Sequence, residues 1–315
     1  MANTILKLTY GDVHLGIRGE GFEYLFSYFI GGPVSLVKDG MEWLYKVPRP
    51  AFWRALTDND RGNFFHFKSG MWLAADNYII PRGTKIFIDN EEIALPTGPE
   101  NNRYTGEETA GEVKITYVLE TITQPSTQVE VTYTVVSDGR IRVNVTFHGK
   151  KGLPELPVFG LRFVMPTPAK GFTYEGLSGE TYPDRMDGGV HGTYEVEGLP
   201  MSAYLTPQEC GMHMETDWVR ICRDTSLSNV KGSDVTSYLT VEKDDKPFAF
   251  TALPYTPSEV ESADHAECLP PGHRTVLTVC GAVRGVGGMD SWGADVEEQY
   301  HVSAEEDITF SFWLK

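Results

Sequence analysis

Residues 113–147 read VKITYVLETITQPSTQVEVTYTVVSDGRIRVNVTF. Val113, Ile115, Tyr117 and Leu119 alternate with Lys114, Thr116 and Val118. Val129, Val131, Tyr133 and Val135 alternate with Glu130, Thr132 and Thr134, and Ile141, Val143, Val145 and Phe147 with Arg142, Asn144 and Thr146. Successive side chains of a strand point to opposite faces, so this period of two predicts three half-buried strands. Ser137-Asp138-Gly139 supplies a tight hairpin turn in which glycine takes the positive φ. Gln124-Pro125-Ser126 separates the first two strands. The expectation is an antiparallel meander with one dry face and one wet face. Asn144-Val145-Thr146 fits a glycosylation acceptor pattern but falls inside the third strand.

Outward from the meander, strand-like runs fall at 5–10, 24–29, 158–164, 236–241, 248–253, 275–283 and 308–314. The 32 Gly and 19 Pro punctuate the chain throughout. Many strands and few helices predict an all-β fold, a large antiparallel β-sandwich, rather than a parallel α/β fold. Two short helices are expected. One opens at Thr256, with Pro257 in its first position and Glu259 closing a capping box; the other lies around 68–75. The acidic, Gly-rich stretch 90–111 reads as a surface loop. No repeat or linker divides the chain, so residues 1–315 read as one continuous sandwich.

With 27 Lys plus Arg against 44 Asp plus Glu, the chain carries a formal charge of −17. Such a field repels polyanions, which argues against nucleic-acid or anionic-membrane partners. No stretch approaches the ~20 apolar residues of a bilayer span. The first ten residues have no basic or apolar signal-peptide region. Cys210, Cys222, Cys268 and Cys280 form no CxxC pair and match no zinc spacing. The reading is free thiols in a reducing cytoplasm.

Chemistry-bearing candidates are few. Asp58-Asn59-Asp60-Arg61-Gly62 resembles the start of a calcium loop, but its glycine falls one position early and Ser69 stands where Glu is needed, so an Asx-capped turn or helix is the plainer reading. The glycines after 281 match no dinucleotide fingerprint. Glu180 and Glu209 could each be a catalytic carboxylate, or an ion-pairing or capping residue. His213 and Glu215 would share one face of a strand, which allows a metal pair without a third ligand. Trp53 reads as core. Trp292, in a glycine-flanked loop beside Asp290 and Ser291, is a candidate ring platform for a sugar, or a plug for one end of the sandwich.

Four segments change these readings together. Phe52-Trp53-Arg54-Ala55-Leu56-Thr57-Asp58-Asn59-Asp60-Arg61-Gly62 resembles the F-x-R-A-x-x-D-N-D-x-G signature that opens the C-terminal domain of family 2 β-galactosidases. Residues 176–185 resemble that domain's G-x-G/S-x-x-E-x-Y-x-D-R segment with a one-residue length difference. Residues 204–211 resemble its Y-x-x-P-x-E-N-G segment, with Cys210 in place of Asn, and residues 285–292 its G-x-G-G-x-D-S-W segment. In most of that family this region ends a much longer chain. Bounded by Met1 and Lys315, it resembles the shorter chain of the split form found in some lactic acid bacteria.

The resemblance implies a supersandwich of galactose mutarotase-like fold with a few short helices. It implies that the catalytic glutamates, Mg2+ and Na+ belong to a large subunit, with no cofactor on this chain, and that the substrate is a β-galactoside such as lactose. Trp292 would supply the aromatic platform, with Asp290 and Ser291 shaping its loop. Asp58, Asn59, Asp60, Gly62, Asn63 and Phe64 would belong to a loop bordering the active site. Phe64-Phe65-His66-Phe67 is a candidate partner surface or a piece of core. A stand-alone aldose 1-epimerase, with its own His and Glu pair, and a carbohydrate-binding module are the rival functions.

Overall fold

A computed structural model describes residues 5–227, 236–290 and 292–315. The meander forms as its alternation dictates. Strands Glu112–Glu120, Gln128–Val136 and Ile141–Phe147 pair antiparallel, with Val113 opposite Val135 and Val131 opposite Val145. Their odd-numbered apolar residues are buried while the even-numbered ones stay partly wet. Gly139 has φ +83°, and Gly139 N–H and Arg140 C=O close the hairpin on Val136.

The meander is the centre of a ten-stranded sheet. Its order is His191–Glu197, Gly171–Leu177, Trp218–Arg223, Ser237–Lys243, Ile308–Leu314, Ile141–Phe147, Gln128–Val136, Glu112–Glu120, Ile80–Ile88, Glu91–Ile93. A six-stranded sheet runs Met41–Glu42, Pro33–Lys38, Phe22–Ser27, His14–Gly19, Leu6–Tyr10, Thr109–Ala110. It covers one part of the dry face: Phe26 meets Tyr133 at 5.7 Å between ring centroids, and the Tyr117 and Tyr24 hydroxyls donate to the Ser27 and Gly139 carbonyls.

A five-stranded sheet covers the rest, in the order Met212–Thr216, Phe248–Leu253, Thr275–Val283, Val158–Met165, Lys46–Ala51. Phe159 packs on Phe310 and Phe163 on Phe312 across the two sheets. Strand Val158–Met165 is buried on both faces. Its odd residues enter the main core, whereas Val158 and Arg162 point to the outer side. Every strand pairing among the described residues is antiparallel, as expected of an all-β sandwich.

The strands expected at 248–253, 275–283 and 308–314 form with those bounds; those at 5–10, 24–29, 158–164 and 236–241 form with shifted ends. Among the described residues, three α-helices are present: α1 (Asp58–Gly62), α2 (Phe65–Ser69) and α3 (Pro257–Glu261). At α3, Thr256 caps Glu259 N–H and the Glu259 carboxylate returns to Thr256 N–H at 2.8 Å. The helix expected around 68–75 is corrected. It starts earlier, as α2, and tightens into a 3-10 turn at Gly70–Trp72 before Ala74, at φ +60°, ends it. Within 90–111, Glu91–Ile93 and Thr109–Ala110 are short edge strands rather than loop.

Candidate functional site

The segment 52–62 leaves the five-stranded sheet and turns into α1. Thr57 caps the helix, and the Asp60 carboxylate accepts from Thr57 N–H and Oγ1, each at 2.9 Å. Asp60 is 1% exposed, and its two other partners are guanidinium groups: Arg54 at 2.6 Å and Arg284 at 3.2 Å, themselves 3% and 0% exposed. Burial alone would raise the Asp60 pKa, but the charge and hydrogen bond of Arg54, with those from Thr57, hold it below the ordinary carboxylate value. Arg284 also pairs with Glu155 at 3.3 Å and with Asp295, and its guanidinium lies 4.4 Å from the Phe65 ring centroid.

Arg284 follows strand Thr275–Val283 and begins a loop that several distant residues hold down. The Asp184 carboxylate accepts from Val286 N–H at 3.0 Å and Gly287 N–H at 2.8 Å. Arg185 donates to the Gly287 carbonyl, Asn59 to that of Val286 at 3.0 Å, and Arg54 to that of Gly285 at 3.2 Å. Gly288 has φ +89°, and a β-carbon there would sit 2.7 Å from the Asn59 amide nitrogen. Gly293 has φ +87°, and its β-carbon would fall 2.4 Å from the Gly62 carbonyl carbon, so α1 and this loop touch backbone to backbone.

Between these anchors the chain turns outward. The Asp290 carboxylate accepts from Trp292 N–H at 2.9 Å and Ala294 N–H at 3.0 Å, and those bonds hold its pKa below the usual range. Trp292 is 85% exposed, so it does not plug the sandwich. Ser291 lies outside the described residues. Past the turn, Asp295 accepts from Asn63 at 3.2 Å and Lys68 at 3.0 Å, which ties the loop to α2.

The fourth segment arrives through Gln208, whose side-chain oxygen accepts from Asp58 N–H at 2.9 Å. Four stretches scattered from 52 to 292 therefore converge on one corner of the molecule. The expectation of a loop over 58–64 is corrected: Asp58, Asn59, Asp60 and Gly62 form a helical turn. Asp60 is sealed under it by two arginines, Asn63 caps its end, and Phe64 is exposed at φ +61°. In the run Phe64-Phe65-His66-Phe67, Phe65 is core while Phe64 and Phe67 are exposed.

Beside this corner, Trp53, Arg54, Arg162, Glu209, Cys210 and Cys280 line a cavity on the outer side of the five-stranded sheet. Glu209 is buried, with the Tyr182 hydroxyl 3.5 Å away, and burial pushes its pKa up to about 7 against the pull of Arg54. The space open to water centres is about 20 Å³, room for one or two water molecules and not for a sugar. Trp53 Nε1 and Arg54 Nε have no protein partner there. Cys210 and Cys280 are buried free thiols, and burial pushes the Cys210 pKa up to about 12, which leaves it unreactive.

The shared face expected for His213 and Glu215 is corrected. A bulge after His213 puts Glu215 at φ +51° and into solvent, while His213 is buried among Phe172, Tyr174 and Phe250. Burial pushes His213 down to about 4, so it is neutral, and it does not line the Glu209 cavity. Glu180 accepts from Ser202 at the surface. Among the described residues, no group of three His, Cys, Asp or Glu is placed to hold a metal ion, and no helix is long and apolar enough to cross a membrane.

Arg284, Asp295 and Glu155 were not singled out in the sequence. The glycine signal after strand 275–283 marked their neighbourhood, but a buried arginine has no local pattern that separates it from an exposed one. Asp184 and Arg185 lay inside a recognised segment, yet their role as anchors for 285–287 depends on a contact 102 residues away.

Residues 18–314 match the family described as beta galactosidase small chain. The chain is 59% identical to a "Beta-galactosidase small subunit" of Latilactobacillus sakei over 99% of both. It is 36% identical to a "Beta-galactosidase" of Halalkalibacterium halodurans over 99% of this chain and 28% of that one, and 33% identical to that of Streptococcus thermophilus over 98% and 28%. The chain thus spans little more than a quarter of these longer relatives. Among solved structures, a galactose mutarotase-like protein from Lactobacillus casei aligns over 96% of this chain and 99% of that one, at 10% identity and a TM-score of 0.42. With a family match over nearly its whole length, and with the four recognised segments gathered at one corner, the chain belongs to the β-galactosidase small chain family.

Proposed function

We propose that this chain, as a single β-sandwich domain, completes a β-galactosidase whose reactive carboxylates lie on a separate large subunit. The observation that carries the reading is Trp292: an indole 85% exposed, on a loop anchored by Asp184, Arg185, Asn59 and Arg54. Hydrophobic rings are normally buried, and an exposed one on a braced loop fits a binding surface. Galactosides offer an apolar C–H face that packs on a ring while their hydroxyls reach polar neighbours.

In the assembled enzyme, hydrolysis of a terminal β-D-galactoside such as lactose proceeds with retention, through a galactosyl-enzyme intermediate formed on one large-subunit carboxylate while the other moves the proton. This chain takes no covalent part. Trp292 stacks on the bound sugar or its leaving group, and Asp290 holds the turn that presents the ring; Ser291 stands between them in the sequence. Asp58, Asn59, Gly62, Asn63 and Phe64 border the opening, with Asp60 serving them from below. Mg2+ and Na+ belong to the large subunit. The setting is the cytoplasm, which suits four free thiols.

The test is an assay of lactose hydrolysis by this chain, the large chain and their mixture. Activity is expected from the mixture alone. In that mixture Trp292→Ala should raise KM for lactose at least several-fold with a smaller change in kcat, because a ring that stacks equally in ground and transition states contributes to binding. An unchanged KM would remove Trp292 from the site.

A further inference from the structure

The segment that follows α1 is unlike the rest of the surface. Along residues 64–80, Phe64, Phe67, Met71, Leu73, Tyr78 and Ile80 are all exposed, Phe67 at 78%. Phe64 and Phe67 adjoin, with ring centroids 6.2 Å apart. In a chain of net charge −17, these 17 residues contain one lysine and one aspartate. Both are already paired within the molecule: Lys68 with Asp295 at 3.0 Å, and Asp76 with the buried Arg162 at 2.7 Å. The buried residues between them, Phe65, Trp72 and Ala75, seat the segment on the main core, so its exposed residues are held in place.

We propose that the run 64–80 is the surface on which the large chain docks. The inference rests on the proposed function and adds the place of contact. Three observations favour this occupant. The run is continuous with the Trp292 loop, through the Gly62–Gly293 contact and through Asp295, which holds both Asn63 and Lys68. A partner that meets Trp292 across a shared pocket therefore also meets Phe64 and Phe67. The longer relatives hold nearly three quarters of their length outside the region matching this chain, and that remainder needs a face to pack on. An apolar face whose lysine and aspartate are already paired within the molecule presents little unpaired charge to a partner, which suits a permanent complex. A second copy of this chain is the poorer occupant, since two bodies of charge −17 repel each other.

The experiment is sedimentation velocity of the cognate large chain with wild type, Phe67→Glu, Leu73→Glu and, as a control on a distant edge, Val190→Glu. Val190 is exposed beside strand His191–Glu197. Melting temperatures are recorded for each, and serine replaces glutamate at any position where the melting temperature falls. The Phe67 and Leu73 variants are expected to weaken association at least tenfold, while Val190→Glu associates as wild type does. Wild-type binding by Phe67→Glu and Leu73→Glu overturns the docking surface and leaves the function intact. Equal loss with Val190→Glu also overturns it. A homodimer of wild type that Phe67→Glu disperses, with large-chain binding unaffected, assigns the run to self-association and overturns the proposal. Failure of the wild type itself to bind the large chain overturns the proposed function and the surface together.

Discussion

The meander and the Trp292 loop are held by opposite means. In the meander, Val113, Ile115, Val131, Tyr133, Val143 and Phe147 are each no more than 1% exposed, and non-directional burial at about 1.5–3 kcal/mol per large side chain holds them. In the loop, Trp292 and Met289 face solvent, so burial cannot position them. Directional bonds do so instead: Asp184 to two backbone amides, Asn59 and Arg185 to two carbonyls, and Asp60 between two buried arginines. Apolar area is sufficient to build a wall. Presenting a hydrophobic ring to solvent at a set place requires a polar frame anchored in that wall.

The comparison breaks most sharply at Asp60. Asp60→Ala should destabilise the chain by about 3–5 kcal/mol, because Arg54 and Arg284 would stay buried without their counter-ion; urea unfolding measures it. The pH dependence follows in sign. The folded-state pKa of Asp60 lies below the unfolded value, so its stabilisation is complete above about pH 4 and is lost as pH falls through the folded value. Asp60→Asn should flatten that acid limb.

Ile115→Ala, at the centre of the dry face, should cost about 2–5 kcal/mol and show no comparable acid limb. If the two variants shared one pH profile, the division between an apolar wall and an ionic frame would fail.

Gly293→Ala should cost about 1–3 kcal/mol, since φ +87° and the 2.4 Å approach to Gly62 both resist a β-carbon. It should also move the loop, seen as a shift in the Trp292 fluorescence maximum relative to a Trp292→Phe background.

The smallest expected effect on stability is that of Trp292→Ala, within about 0.5 kcal/mol of wild type in the same unfolding experiment. A larger loss would mean that the indole belongs to the wall.

Regions governed by local pattern were legible. Alternation placed all three meander strands, and the capping box at Thr256 was read residue for residue. The missed strands have other causes. His14–Gly19 and Pro33–Lys38 are broken by glycine, proline and serine, so they carry little periodicity. Gly171–Leu177 contains two glycines, and Trp218–Arg223 sets two arginines among its apolar residues, so neither stands out as a clean alternation. The bulge at Glu215 reverses a face that alternation alone would assign, because one extra residue shifts every later side chain by one.

By itself, then, the sequence determined the all-β class, the dry face of the central sheet, the helix cap at Thr256 and, through four resembling segments, the family. Those features are written in residues within a few positions of one another. Only the tertiary structure decided that Asp60 is a buried counter-ion beneath a helical turn, that Trp292 faces solvent, that His213 and Glu215 part company, and that residues 64–80 leave an apolar run uncovered. Each of these depends on which distant groups arrive at the same point in space, and a guanidinium at Arg284 reaching Asp60 across more than two hundred residues leaves no trace in either neighbourhood.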